Sequence, residues 1–320
     1  MSEDINSKRS GQRSDEVLIR EPGSRTYKTK QGIEFKALAE KLWEAAVLSE
    51  NVYFGDWVKE GNGWRSPLRN GMAVPGQGPS DYKAACAPGE RGRLFLPGWV
   101  FWGNFPSPDL AGEAKKTGLY VEVWEKILSG KRTVAVVFKG TQFEDWRDWR
   151  SNLRWFRKRF AHFIPFYEDQ YTVVAKKFGN EFVGEFIRRG YHLRDVSIVS
   201  CGHSLGGGLA QQFAYSLPLH PEVPRVSQVF AFNPSPVTGW YSVDEEIRTR
   251  NAFGLAIDRV FEHGEVLAYL RLLLSYLYPP SASNPSIREI RVNFVRSWNF
   301  STNHEMRSLV CGLLNHLEKW

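Results

Sequence analysis

Apolar and polar positions follow two spacings along this chain. From residue 35 to 58, Leu38, Leu42 and Ala46 recur at helical intervals, with Tyr53 and Phe54 near the end of the run. Similar spacing predicts helices over 167–189, 205–217 and 304–318. Residues 133–138 (TVAVVF) are a continuous apolar run rich in β-branched side chains, as expected of a strand buried on both faces, and 196–200 and 226–232 read as further buried strands. Further strands are predicted over 256–261 and 287–295, and residues 118–124 alternate. Buried strands that alternate with helices predict an α/β fold, a mostly parallel central sheet with helices on both faces.

Residues 1–32 are polar and charged with few apolar anchors, which predicts a flexible N-terminal tail ahead of one domain over 33–320. Within that domain, 61–108 is dense in Gly and Pro and reads as an irregular surface insertion or as a cover over another part. No internal repeat or low-complexity tract interrupts the pattern.

The 42 Lys and Arg exceed the 35 Asp and Glu by 7, a mild basic excess compatible with lipid headgroups or nucleic acid as partners. Twelve Trp either build core or mark an interface, depending on how many are exposed. Three widely spaced cysteines, Cys86, Cys201 and Cys311, match no zinc pattern and imply no disulfide framework, so a reducing compartment is the default expectation. The most apolar stretch, 266–278 (VLAYLRLLLSYLY), is too short to span a bilayer and runs into Pro279 and Pro280. The polar N-terminus lacks the apolar core of a signal peptide. A cytoplasmic location is therefore the default, with export by a signal-independent secretion route as the alternative.

The sharpest chemical signal is Gly202-His203-Ser204-Leu205-Gly206, a G-x-S-x-G between a buried strand and a helix. A tight strand-to-helix turn forces the serine into a strained backbone conformation and lifts its hydroxyl out at the C-terminal edge of the sheet. Glycines on either side allow strand and helix to approach closely. The Leu205 N–H, at the start of the helix, points to where an oxyanion forms. A phosphate loop is excluded, because Gly208-Leu209 stands where a Lys-Ser/Thr pair is needed.

Upstream, Val136-Val137-Phe138-Lys139-Gly140-Thr141 is followed by Asp148-Trp149 and Asn152-Leu153. Together with the Gly-His-Ser-Leu-Gly-Gly turn, this resembles the class 3 lipase family, the fungal-type lipases and their plant and bacterial relatives. The resemblance spans about residues 35–317 and is strongest over 133–232; Ser49 to Tyr53 also resembles the family's N-terminal helix. Lys139 stands where the family has Arg, and the Gly/Pro-rich segment has no counterpart. The resemblance implies an α/β-hydrolase fold and a Ser-acid-His triad. It makes the Thr141 N–H and hydroxyl the first oxyanion donor and the Leu205 N–H the second.

In α/β-hydrolases the chain order is Ser, acid, His. Residues 259–267 resemble the family's strand-end acid pattern and align Glu265 with the triad acid. Glu262 and Asp258 are the other candidates. His304 follows the last strand and a polar loop, which suits the base. His316 lies within the last helix, His263 is close to the acids, and His203 in the turn reads as a packing residue. The expected reaction is two-step acyl transfer without metal or organic cofactor.

Between the oxyanion strand and the serine turn, Trp146, Trp149, Leu153, Phe156 and Phe160 step by three and four, beside a stripe of Arg147, Arg150, Arg154 and Arg157. In the fungal lipases this region is the lid. Here it is a candidate membrane contact, with aromatics in the headgroup layer and arginines on phosphates, or else a helix packed on the sheet. No nucleic-acid-binding motif accompanies it, so nucleic acid is not expected as a partner.

The expected function is hydrolysis of lipid carboxylic esters at a membrane interface, by a phospholipase or lipase. Its partners are a lipid or phospholipid substrate and an anionic membrane surface. An immunity protein joins them if the chain is a delivered antibacterial effector. A soluble esterase on small acyl esters, and a non-catalytic membrane- or partner-binding module on the same fold, are the alternatives.

Overall fold

The computed structural model describes residues 16–68, 71–74, 82–87, 89–140, 170–191, 193–236, 238–264, 281–295 and 303–318. Its centre is a ten-stranded sheet. Five neighbouring strands, β8 (Lys131–Phe138), β9 (Val196–His203), β10 (Val226–Phe232), β11 (Ala256–Glu262) and β12 (Ser286–Val292), are parallel and lie side by side in chain order. These are the predicted apolar runs, and the boundaries of β10 coincide with the expectation.

Antiparallel strands extend both edges. On one side, β8 pairs with β7 (Val121–Leu128), which pairs with β6 (Leu96–Phe101) and then β5 (Ala73–Val74). On the other, β12 pairs with β1 (Glu16–Arg20), which pairs with β2 (Lys28–Gln31). This corrects the expectation of a mobile tail over 1–32. Val17 and Ile19 are buried, and Arg20 pairs with Glu289. Residues 1–15 lie outside the described residues.

Right-handed crossovers between neighbouring strands taken in chain order put their helices on one face. Helix α4 (Gln170–Arg188), α5 (Leu205–Ser216) and α6 (Glu245–Ala252) follow that rule, and α5 packs on β8, β9 and β10. The opposite face is covered by α1 (Ile33–Asn51), which packs against α7 (Met306–Glu318). Leu38, Leu42, Ala45 and Ala46 of α1, and Met306, Leu309, Val310 and Leu313 of α7, are buried at helical spacing. Two further short helices are α2 (Tyr82–Ala85) and α3 (Pro108–Thr117).

The described parts of the Gly/Pro-rich segment are tied to the rest of the fold. A small hairpin, β3 (Val58–Glu60) with β4 (Gly63–Arg65), straddles its start, and α2, β5 and β6 lie within it. Asn51 of α1 exchanges two hydrogen bonds with the Leu94 backbone, at 2.7 and 2.9 Å. The Arg93 guanidinium grips both oxygens of the fully buried Glu122, at 2.6 and 3.2 Å.

Cys86 and Cys311 form a disulfide with a Cα–Cα distance of 5.7 Å, joining this segment to α7. This corrects the expectation of no disulfide, which widely spaced cysteines could not reveal, and the default of a reducing compartment loses its basis in cysteine usage, since such bonds persist under oxidising conditions. Cys201 is buried and unbridged, and burial pushes its thiol up to about 12, so it is no competing nucleophile. Trp57, Trp99, Trp102 and Trp124 are buried, which assigns this part of the tryptophan content to core. Among the described residues no helix is long and apolar enough to cross a membrane.

Candidate active site

Strand β9 runs directly into α5 through Ser204, whose φ of 56° and ψ of −122° place a non-glycine residue in a strained region. Its neighbours hold it there. The Ser204 N–H donates to Phe232 O at 2.9 Å, and Ser204 O accepts from the N–H groups of Gly207 and Ser235, at 3.1 and 2.9 Å. The flanking glycines are needed for space. A Cβ on Gly202 would lie 2.4 Å from Gly206 O, and one on Gly206 would lie 2.2 Å from Phe138 O. Strand, turn and helix are thus in backbone contact.

His304 reaches this turn from two residues before α7. Its Nε2 lies 3.0 Å from Ser204 Oγ, within the hydrogen-bond reach that a nucleophile and its base require. Both residues are buried, Ser204 at 2% and His304 at 5% exposure. Leu205 opens α5, so its N–H is among the helix N-terminal donors left without an intrahelical acceptor. Thr141 lies outside the described residues. Gly140, immediately before it, sits against the serine: a Cβ there would be 3.3 Å from Ser204 Cβ.

Of the acids, Glu265 lies outside the described residues. The preceding two residues do not: Asn303 Nδ2 donates to His263 O and Gly264 O, at 3.3 and 3.5 Å. The chain leading to Glu265 therefore abuts the residue before His304. Asp258 is engaged elsewhere, bound by Arg288 through two hydrogen bonds of 2.8 and 3.0 Å and by Lys41 at 2.8 Å. Glu262 ends β11 with its Oε1 accepting from the Val295 N–H at 3.2 Å. Among the described residues its Oε2 has no hydrogen-bond partner, and burial pushes its carboxyl up to about 7 against the opposing Val295 and Phe294 N–H donors.

Three residues that sequence reasoning left out of the site belong to it. Asn233, with φ of 39°, accepts the Glu262 N–H at 2.9 Å and donates to His304 O at 3.4 Å. His203, read as packing, lies 2.7 Å through Nε2 from His304 O. Tyr53 Oη lies 2.7 Å from His203 Nδ1. Only the place of Asn233, directly after a buried strand, hinted at such a role. Lys139, where the resembled family has Arg, donates to Gly55 O at 2.8 Å. Trp146, Arg147, Trp149, Arg150, Arg154 and Arg157 lie outside the described residues, as does 266–278.

Comparison with curated proteins returns no match. The model of one family, described as Lipase (class 3), matches residues 135–268, a span that includes most of β8, the Ser204 turn, Asp258, Glu262 and Glu265. With the α/β architecture, this supports a lipase-type carboxylic ester hydrolase, and over residues 135–268 the chain is similar to the class 3 lipase family.

Proposed function

We propose that this protein cleaves carboxylic ester bonds of lipids at a membrane surface, by acyl transfer through Ser204 with His304 as the base. One observation carries the reading: a strained serine at a strand-to-helix turn, 3.0 Å from an imidazole nitrogen. As Ser204 Oγ attacks the ester carbonyl carbon, His304 Nε2 takes its proton. Charge gathers on the carbonyl oxygen and is met by the N–H of Leu205 and by Thr141. Collapse breaks the ester C–O bond, and His304 returns the proton to the departing alcohol. Water, deprotonated by His304, then attacks the acyl-serine and releases the fatty acid. Glu265 orients the imidazole and stabilises its cation. The contact between Asn303 and Gly264 supports that role over those of Asp258 and Glu262.

The near-complete burial of Ser204 and His304 favours an enzyme whose site opens on contact with an interface over one acting on dissolved small esters. The arginine and aromatic stripes at 146–160 suit an anionic phospholipid surface. Six basic residues against three acids leave +3 over 143–160.

Fluorophosphonate labelling, together with mass spectrometry of a total lipid extract exposed to wild type and Ser204→Ala, tests the reading. Wild type should take the label and release fatty acid, and Ser204→Ala should do neither. A wild-type protein that takes no label and releases no acyl product refutes the hydrolytic reading. Reversing Arg147, Arg150, Arg154 and Arg157 to Glu should reduce binding to phosphatidylglycerol vesicles. Unchanged binding refutes the membrane part alone.

A further inference from the structure

We propose that Tyr53 and His203 are positioning residues for His304. They form a relay in which the tyrosine hydroxyl fixes the tautomer of His203, and His203 anchors the main chain of the base. The inference rests on the reading of Ser204 and His304 as the hydrolytic pair. A carbonyl oxygen only accepts, so His203 Nε2, 2.7 Å from His304 O, carries a hydrogen. In the neutral ring Nδ1 is then the bare nitrogen, and the Tyr53 hydroxyl, 2.7 Å away, donates to it. The second donor to the same carbonyl, Asn233 Nδ2, is more distant at 3.4 Å, so the short bond comes from His203. His203 and His304 are almost fully buried, and their ring centroids are 4.8 Å apart.

The tyrosine hydroxyl also marks where the relay meets the oxyanion side. A Cβ on Gly140 would fall 2.4 Å from Tyr53 Oη and 2.4 Å from His203 O. The hydroxyl is therefore wedged between the residue before Thr141 and the residue before Ser204. Tyr53 stands in the 3-10 turn Val52–Phe54 that continues α1, and α1 packs on α7, the helix that follows His304. The turn before Ser204 and the main chain of the base thus share one hydrogen-bonded hub, and Gly140 packs against it.

Packing alone does not need the hydroxyl, because the edge contact between the Tyr53 and His203 rings, at 5.7 Å, would survive with phenylalanine. Tyr53→Phe should therefore lower kcat by on the order of ten- to a hundredfold, the scale of a misplaced catalytic group. KM and the melting temperature should stay close to wild type. His203→Gln, which keeps an amide N–H able to reach the carbonyl, should retain more kcat than His203→Leu.

Nitrogen-15 NMR of the histidine side chains gives a readout independent of turnover. His203 should show a protonated Nε2 and a bare, hydrogen-bonded Nδ1 in wild type, with the Nδ1 signal displaced in Tyr53→Phe. Wild-type kcat in Tyr53→Phe, equal kcat in the Gln and Leu variants, or an Nδ1-protonated His203 overturns the proposal. If wild type neither turns over ester nor labels at Ser204, the hydrolytic reading falls by itself. The tautomer measurement then still decides whether the relay exists.

Discussion

Ser204 and His304 are one hundred positions apart in sequence and 3.0 Å apart in space. Residues that act as one unit lose activity together, so Ser204→Ala, His304→Ala and the double variant should fall to nearly the same residual rate. The drop in kcat should be on the order of 10⁴-fold or more. Steady-state kinetics on a single lipid ester checks this, and a double variant far below either single one argues that the two side chains act independently.

Backbone contact at the serine turn sets a second expectation. Gly206→Ala puts a methyl onto Phe138 O, and Gly202→Ala puts one onto Gly206 O; neither acceptor can move like a flexible side chain. Each should cost about 1–3 kcal/mol or more. Gly184, on the exposed side of α4 with nothing within reach of an added Cβ, is the control. Gly184→Ala should stabilise by about 0.4–1 kcal/mol. Urea unfolding of the three variants separates these outcomes.

Glu262 gives a pH signature. Burial raises its carboxyl from 4.5 to about 7, so the folded protein keeps a proton that the unfolded chain has released. Stability from this group is complete below about pH 4.5 and is lost as pH rises through 7. The loss is on the order of 3 kcal/mol. Glu262→Gln should remove this slope, leaving a variant that gains on wild type as the solution becomes alkaline. Parallel stability profiles from pH 4 to about 8.5 contradict the assignment.

The Cys86–Cys311 bond closes a sequence separation of 225 residues. In the chain-entropy picture, such a loop contributes about 5 kcal/mol by restricting the unfolded chain. Cys86→Ser, or a reducing agent, should lower the denaturation midpoint accordingly. Equal midpoints with and without a reductant argue that the bond does not form.

The parallel strands were legible because they are buried on both faces. Residues 134–138 of β8 and 229–232 of β10 are buried at successive positions and leave no polar face there to confuse with a helix. Ser204 was legible because a glycine-flanked serine after such a strand has a narrow steric purpose. The outer strands β1 and β2 were hidden because an edge needs few apolar anchors: Val17 and Ile19 suffice, and KTKQ of β2 presents mostly exposed side chains. The disulfide and the Tyr53–His203–His304 contacts depend on distances between parts remote in sequence, which no local spacing encodes.

All five parallel strands, together with Ser204 and His304, lie inside the covalent ring closed by Cys86 and Cys311. A protease that nicks the chain once between those cysteines therefore releases no fragment. The oxidised protein would keep its full mass after such a cut and come apart only when the bond is reduced.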